Sequence, residues 1–176
     1  MRFLATLVLS FAAIVLGHAE ESKKDFPTQF YGSKKNMDVV MGASKVTVCR
    51  LSPPRDDKGD LDHKKLTEFD TLKHYKAGSP IDVPDKTLGE LRKVLGDPKT
   101  HDPESVKACI PIYGVRYIFA QGDQTVTVNI CFLCDILVTA VGDKIVGGGS
   151  FDPASSELLR IAQTLFPKDT DLTAIE

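Results

Sequence analysis

Residues 125–140 alternate with a period of two. Val126, Val128, Ile130, Phe132, Cys134, Ile136, Val138 and Ala140 share one parity, and Thr125, Thr127, Asn129, Cys131, Leu133, Asp135, Leu137 and Thr139 share the other. Alternation of this kind marks a strand with one face on a core and one mixed face. A single strand of this length would run roughly 50 Å at about 3.3 Å per residue, so a bend or bulge is expected near Cys131 to Asp135.

The preceding stretch supplies its partner. Between Cys109 and Phe119 the odd positions Cys109, Tyr113, Val115, Tyr117 and Phe119 are apolar or aromatic, with Pro111 interrupting the ladder near its start. Gly122-Asp123 is a two-residue turn of type II′, with glycine at its first central position. It pairs Gln121 with Gln124, which sets Phe119 opposite Val126, Tyr117 opposite Val128, Val115 opposite Ile130 and Tyr113 opposite Phe132. The apolar faces coincide, whereas a slip of one residue would oppose apolar to polar. Gly142-Asp143 repeats the device, pairing Val141 with Lys144 and placing Ile145 opposite Ala140 on the same inner face. A three-stranded meander is predicted. Gly147-Gly148-Gly149 then falls opposite Ile136 and Val138, where missing side chains let a helix approach closely. An anion cradle is the other reading of these glycines, but Asp152 beside them would repel an anion.

Residues 20–35 read as irregular. Asn36 caps a short helix through Met37, Val40 and Met41, ending near Gly42, and Val46 to Leu51 alternates as a strand that Pro53-Pro54 stops. From Arg55 to Lys76 the chain is charged, and Leu66, Phe69, Leu72 and Tyr75 recur every third residue, which matches neither period. This stretch is expected to be a surface excursion with a short helical or extended piece. Ile81 to Val83 is a short strand. Asp85 caps a helix through Leu88, Leu91, Val94 and Leu95 that Gly96 and Pro98 end. Asp152-Pro153 opens a closing helix with Leu158, Ile161, Ala162 and Leu165 on one face, stopped at Phe166-Pro167. The fold expected is a single α+β domain, an antiparallel β-meander with helices packed on one face.

Arg2, an apolar run from Phe3 to Leu16 and Gly17-His18-Ala19 have the layout of a signal peptide cleaved after Ala19. The run is shorter than the roughly 20 residues of a spanning helix. The expected organisation is a signal over residues 1–19 and an exported domain over 20–176, periplasmic or secreted, with no transmembrane segment after cleavage. The formal net charge is −2 with both signs dispersed; Lys34-Lys35 and Lys64-Lys65 make no basic stripe, so nucleic acid is not an expected partner. His63, His74 and His101 lie in polar stretches without ligand spacing and read as surface residues. No cofactor is implied, and no nucleophile–base–acid set, G-x-S-x-G, H-E-x-x-H or Walker loop is present. Asp135 falls on the polar parity, where it belongs with Asn129 and Arg116 in a solvated cluster.

An exported chain with four cysteines is expected to form disulfides. Cys109 and Cys134 share the inner face as diagonal neighbours, which favours a Cys109–Cys134 bridge. Cys49 and Cys131 share the polar parity and would form a second bridge if their strands are neighbours; otherwise both are free. Cys131-Phe132-Leu133-Cys134 also has redox C-x-x-C spacing. Redox pairs sit at a helix N-terminus, however, whereas a strand would throw these two sulfurs to opposite faces. A zinc site would need a second C-x-x-C.

The segments Cys109-Ile110-Pro111-Ile112-Tyr113-Gly114-Val115-Arg116, Cys131-Phe132-Leu133-Cys134-Asp135, Phe151-Asp152-Pro153 and Leu165-Phe166-Pro167 together resemble a group of uncharacterised exported bacterial proteins with a C-x-P-x-Y-G-V-R … C-F-x-C-D pattern. The resemblance covers roughly the last 70 residues. It implies a bacterial source and no activity. The expected function is a non-enzymatic exported binding domain, disulfide-stapled, that contacts an envelope protein or small ligand through the outer sheet face, with Leu133 and Leu137, or through Arg55–Lys76. The alternative is a thiol-dependent redox protein using Cys131 and Cys134.

Overall fold

In a computed structural model, which describes residues 25–175, the register set by Gly122-Asp123 is the one adopted. Strands β1 (Lys45–Ser52), β2 (Lys76–Ala77), β3 (Ile81–Asp82), β4 (Val115–Gln121), β5 (Gln124–Cys131), β6 (Ile136–Val141) and β7 (Lys144–Ser150) form one antiparallel sheet in the order β2-β1-β4-β5-β6-β7, with β3 also on β1. Phe119 faces Val126, Tyr117 faces Val128 and Val115 faces Ile130. The turn has positive φ at Gly122 (57°) and not at Asp123, as type II′ requires. The signal expected over 1–19 lies outside the described residues.

The stretch 125–140 is not one bent strand. β5 ends at Cys131, residues 132–135 turn, and β6 begins at Ile136, directly opposite Cys131. This reversal inverts the parity of the second half. Ala140 pairs with Thr127 and Val138 with Asn129, so both lie on the outer face, while Leu137 is buried on the helix side and the Thr139 hydroxyl donates to the Phe30 carbonyl (2.7 Å). The strand pattern misled because Phe132 and Cys134 are apolar for other reasons. Phe132 packs edge-on against Phe151, with ring centroids 6.1 Å apart, and Cys134 is bonded to Cys109. The Tyr113–Phe132 pair is accordingly not made. The ladder ends where the Gly114 amide donates to the Ile130 carbonyl, and Tyr113 and Phe132 join different cores.

Val141 pairs with Lys144 and Ala140 with Ile145, but on the outer face, and a bulge then sets Thr139 opposite Gly147 and Leu137 opposite Gly149. The glycines admit a helix, α1 (Phe26–Tyr31), which lies in the stretch expected to be irregular. Asp25 caps it by accepting from the Thr28 amide (3.1 Å), and Pro27 fits the first turn. A Cβ on Gly147 would stand 2.6 Å from the Gly32 nitrogen and 2.8 Å from the Gln29 carbonyl oxygen, and one on Gly149 would stand 2.6 Å from the Phe30 ring. Close approach of a helix, not anion binding, accounts for them.

Helix α2 (Lys34–Gly42) is capped by Ser33 rather than Asn36. After the short α3 (His63–Leu66), α4 (Asp85–Gly96) and α5 (Ser155–Leu165) join α1 and α2 on the inner face, burying Leu88, Leu91, Val94, Leu95, Leu158 and Ile161 over Val48, Tyr117, Phe119, Val128 and Ile130. The Arg55–Lys76 excursion covers part of the outer face. Leu66, Leu72 and Tyr75 pack with Cys49, Leu51, Tyr113, Cys131, Val138 and Ala140, leaving Phe69 at 81% exposure. The sheet is therefore covered on both sides.

His101 is buried, contrary to the surface position its polar surroundings imply. Its ring lies edge-on to Phe26 and Phe30, with centroids 4.9 and 4.5 Å away, and its Nε2 has no partner. Burial lowers its pKa, against a smaller opposing pull from the Asp97 carbonyl.

Two outcomes follow from this packing. Gly147→Ala is expected to destabilise the protein by about 1–3 kcal/mol, because the obstacle is α1 backbone that cannot rotate away; urea unfolding measures it. His101 is neutral in both states above about pH 6.5. Below that the unfolded chain takes up a proton the folded chain resists, so stability falls with pH towards the lowered native value. The urea midpoint should drop between pH 6.5 and 5, and His101→Gln should flatten that drop.

Candidate functional site

At the end of the sheet where β1 finishes and β5 turns into β6, the surface opens into a cleft of about 640 Å³. One wall is β1 and its exit, Arg50 to Pro53, with Arg55 and Leu61. Opposite stand Ile112 to Gly114 and the turn residues Phe132 and Leu133, and a short C-terminal helix, α6 (Thr170–Thr173), closes the third side with Asp169, Leu172 and Ile175.

Arg50 holds these walls together. Its Nε donates to Asp169 Oδ2 (2.6 Å) and its Nη1 to the Gly114 carbonyl, joining β1, the entry to β4 and α6. Gly114 gives the guanidinium room, since a Cβ there would lie 2.9 Å from Arg50 Nη1 and displace the end of that side chain. Asp169 also caps α6 by accepting from the Leu172 amide (3.0 Å). Partial burial works to raise its carboxyl pKa, but the Leu172 amide and Arg50 together hold it below the ordinary value. Nothing in the spacing of Arg50 and Asp169 along the chain announces this pair. The only local signal was Asp169 three residues before Leu172, an N-cap pattern.

The Cys109–Cys134 bridge fixes the remaining wall, with Cα atoms 6.5 Å apart. The pairing is the one expected, but it joins the irregular segment before β4 to the 132–135 turn, not two strand positions. Cys49 and Cys131 form no bridge, and both are buried free thiols. β4 separates their strands: Cys49 opposes Arg116, which opposes Asn129, so two strand spacings of about 9–10 Å intervene where a disulfide tolerates about 7 Å. Burial pushes the Cys131 thiol up, partly offset by the amides of Ile112, Cys134 and Leu133, with the Ile112 nitrogen 3.3 Å from Sγ. Burial likewise raises Cys49, against the nearby Arg116 charge.

Leu133 is 73% exposed on the cleft rim, whereas Leu137 is buried on the opposite side of the sheet and cannot contribute to a surface. Arg116 Nε donates to Asn129 Oδ1 (2.7 Å) on the outer face, but the pair is not the solvated cluster expected, because Asn129 is fully buried. Asp135 is not part of that pair. It occupies the turn with φ of 50° and accepts from the Ser155 hydroxyl at the start of α5. A second hollow beside the cleft shares Ser52, Pro53 and Arg55 with it and is lined by Lys65, His74 and Lys76, so the excursion contributes basic side chains to this end. Lys65 is paired with Asp62 (3.0 Å) and His74 with Glu68 (2.7 Å).

Among the described residues, no group of three or more His, Cys, Asp or Glu side chains is placed to hold a metal ion, and no helix is long and apolar enough to cross a membrane. Compared with known protein families, curated proteins and solved structures, the chain has no match.

The Cys109–Cys134 bridge closes a loop with a sequence separation of 25 residues. Replacing both cysteines by serine should lower stability by about 3 kcal/mol in urea unfolding, the cost of freeing a loop of that length. The Gly122-Asp123 hairpin lies within the loop but is held by the sheet, so its amide exchange should slow or quicken only with global stability.

Proposed function

We propose that the chain is an exported, non-enzymatic binding domain of the bacterial envelope whose ligand face is the cleft bounded by β1, the 132–135 turn and α6. The observation that carries this reading is an open hollow of about 640 Å³, within the range of ligand sites, with an exposed apolar side chain, Leu133, on a rim held by a disulfide. A leucine projecting into water from a tethered turn keeps its apolar surface available while losing little freedom on contact. Leu51, Leu61, Ile112 and Leu172 supply further apolar lining, and Arg50, Arg55, Asp169 and Asp171 supply charges that orient a partner. This mixed lining suits a segment of an envelope protein, or a small molecule of similarly mixed character. Export is supported by the basic, apolar and small-residue order of residues 1–19.

Affinity capture from envelope extracts tests the reading, with wild type compared against Leu133→Ser and against Phe69→Ser, an exposed apolar control away from the cleft. The expected result is a partner recovered with wild type and with Phe69→Ser, and reduced roughly tenfold with Leu133→Ser, the effect of an interface residue worth about 1.4 kcal/mol. Recovery equal across all three proteins, or nothing above the tag-only control, overturns the cleft as the binding face.

A further inference from the structure

A third cysteine, Cys131, falls in sequence between the two halves of the bridge and is buried behind the turn. Cys131 Sγ accepts the Ile112 amide (3.3 Å), three residues beyond Cys109. Cys134 Sγ lies 4.0 Å from the Ile110 carbonyl oxygen, so the sulfurs of Cys131 and Cys134 both rest against the three residues that follow Cys109, and Cys134 packs on the small core that contains Cys131. Cys131 and Cys134 are three apart across a turn, the spacing at which a chain reversal brings Cα atoms within about 7 Å. Cys131 is fully buried, Cys134 half-buried and Cys109 exposed. Burial hinders bulky outside reagents at Cys131 more than it hinders hydroxide, which is all that removal of the proton needs.

We propose that Cys109, Cys131 and Cys134 form a thiol–disulfide exchange site, in which the bond on Cys134 moves from Cys109 to Cys131. Cys131 loses its proton to solvent base and its thiolate attacks Cys134 Sγ. The Cys131–Cys134 bond forms as the Cys109–Cys134 bond breaks, and the electron pair leaves on the Cys109 sulfur, which takes up a proton. One disulfide and one thiol stand on each side of the step, so no oxidant or reductant is consumed. Departure of Cys109 is favoured by its exposure, since water solvates the leaving thiolate. The same burial that raises the Cys131 pKa makes the step slow at neutral pH and faster in base. Exchange also releases the Ile112–Gly114 wall of the cleft from the turn that carries Leu133, so the rim has a tethered and an untethered form. Neither the exchange nor its chemistry depends on what the cleft binds.

The test uses the full exported chain with Cys49→Ser, which removes the unrelated free thiol. Native protein is incubated with N-ethylmaleimide between pH 7 and 9 and mapped by mass spectrometry. The expected product carries the label on Cys109 and a Cys131–Cys134 bond, and forms about ten times faster per pH unit while pH stays below the Cys131 pKa. In addition, Cys49→Ser/Cys109→Ser in a glutathione redox buffer should close Cys131–Cys134. Label confined to Cys131 with Cys109–Cys134 intact, no labelling at all, or a Cys109–Cys131 bond overturns the proposal. So does a folded double variant that keeps both thiols. If the double variant does not fold, the labelling of the single variant decides the matter by itself.

Discussion

Four residues, Phe132 to Asp135, reverse the chain between β5 and β6, and the C-terminal half of the molecule takes its arrangement from that reversal. An even-length turn between directly opposed residues, Cys131 and Ile136, exchanges the faces of everything after it. Leu137 and Thr139 are thereby directed to the helices, where Leu137 fills the core and Thr139 binds the Phe30 carbonyl. Val138 and Ala140 turn outward to meet the excursion. The left-handed backbone at Asp135 is one a short polar side chain tolerates, and the Ser155 hydroxyl ties that side chain to the head of α5. The turn is thus anchored at its last residue to a helix and, one residue earlier, through Cys134, to the segment before β4.

Two shallow cores follow from a sheet covered on both faces. The larger lies under α1, α2, α4 and α5. The smaller is closed by Leu66, Leu72 and Tyr75, which lie on short irregular pieces rather than on a regular helix. Three-residue spacing of apolar side chains has no regular period to match, but it is what short helical turns joined by bends present to a flat sheet. At the β7 edge the glycines let α1 backbone touch sheet backbone, so the last strand contributes hydrogen bonds and proximity instead of side-chain area.

The cleft inherits its rigidity from three ties of different kinds. The Cys109–Cys134 bond is covalent, Arg50–Asp169 is a charged hydrogen bond with both partners about three-quarters buried, and Asp169 caps α6. Because they converge on segments far apart in sequence, the walls hold their spacing without a regular element spanning them. Leu133 gains its exposure from the same construction: its neighbours Phe132 and Cys134 are drawn inward by Phe151 and Cys109, and the residue between them is left pointing out.

Local chemistry alone determined a good part of this protein. Glycine-first turns at Gly122 and Gly142, flanked by alternating residues, define the hairpin pairings, because φ and parity are properties of adjacent residues. The α4 and α5 apolar stripes and the α+β class were legible for similar reasons, whereas the Cys109–Cys134 pairing was named from a strand register that does not extend to Cys134. Tertiary structure decided the rest. Whether Phe132 and Cys134 continue a strand or form a turn depends on Phe151 and Cys109, residues that periodicity cannot see. Helix α1 needed the glycine strand to lie on, and its six residues, too few to show a helical period, carried only a cap and a proline as signals. His101 is buried by Phe26 and Phe30 from 71 or more residues away, and Arg50 finds Asp169 at a separation of 119 residues. The cleft, whose walls come from β1, the segment before β4, the 132–135 turn and α6, exists only once those distant pieces are packed together.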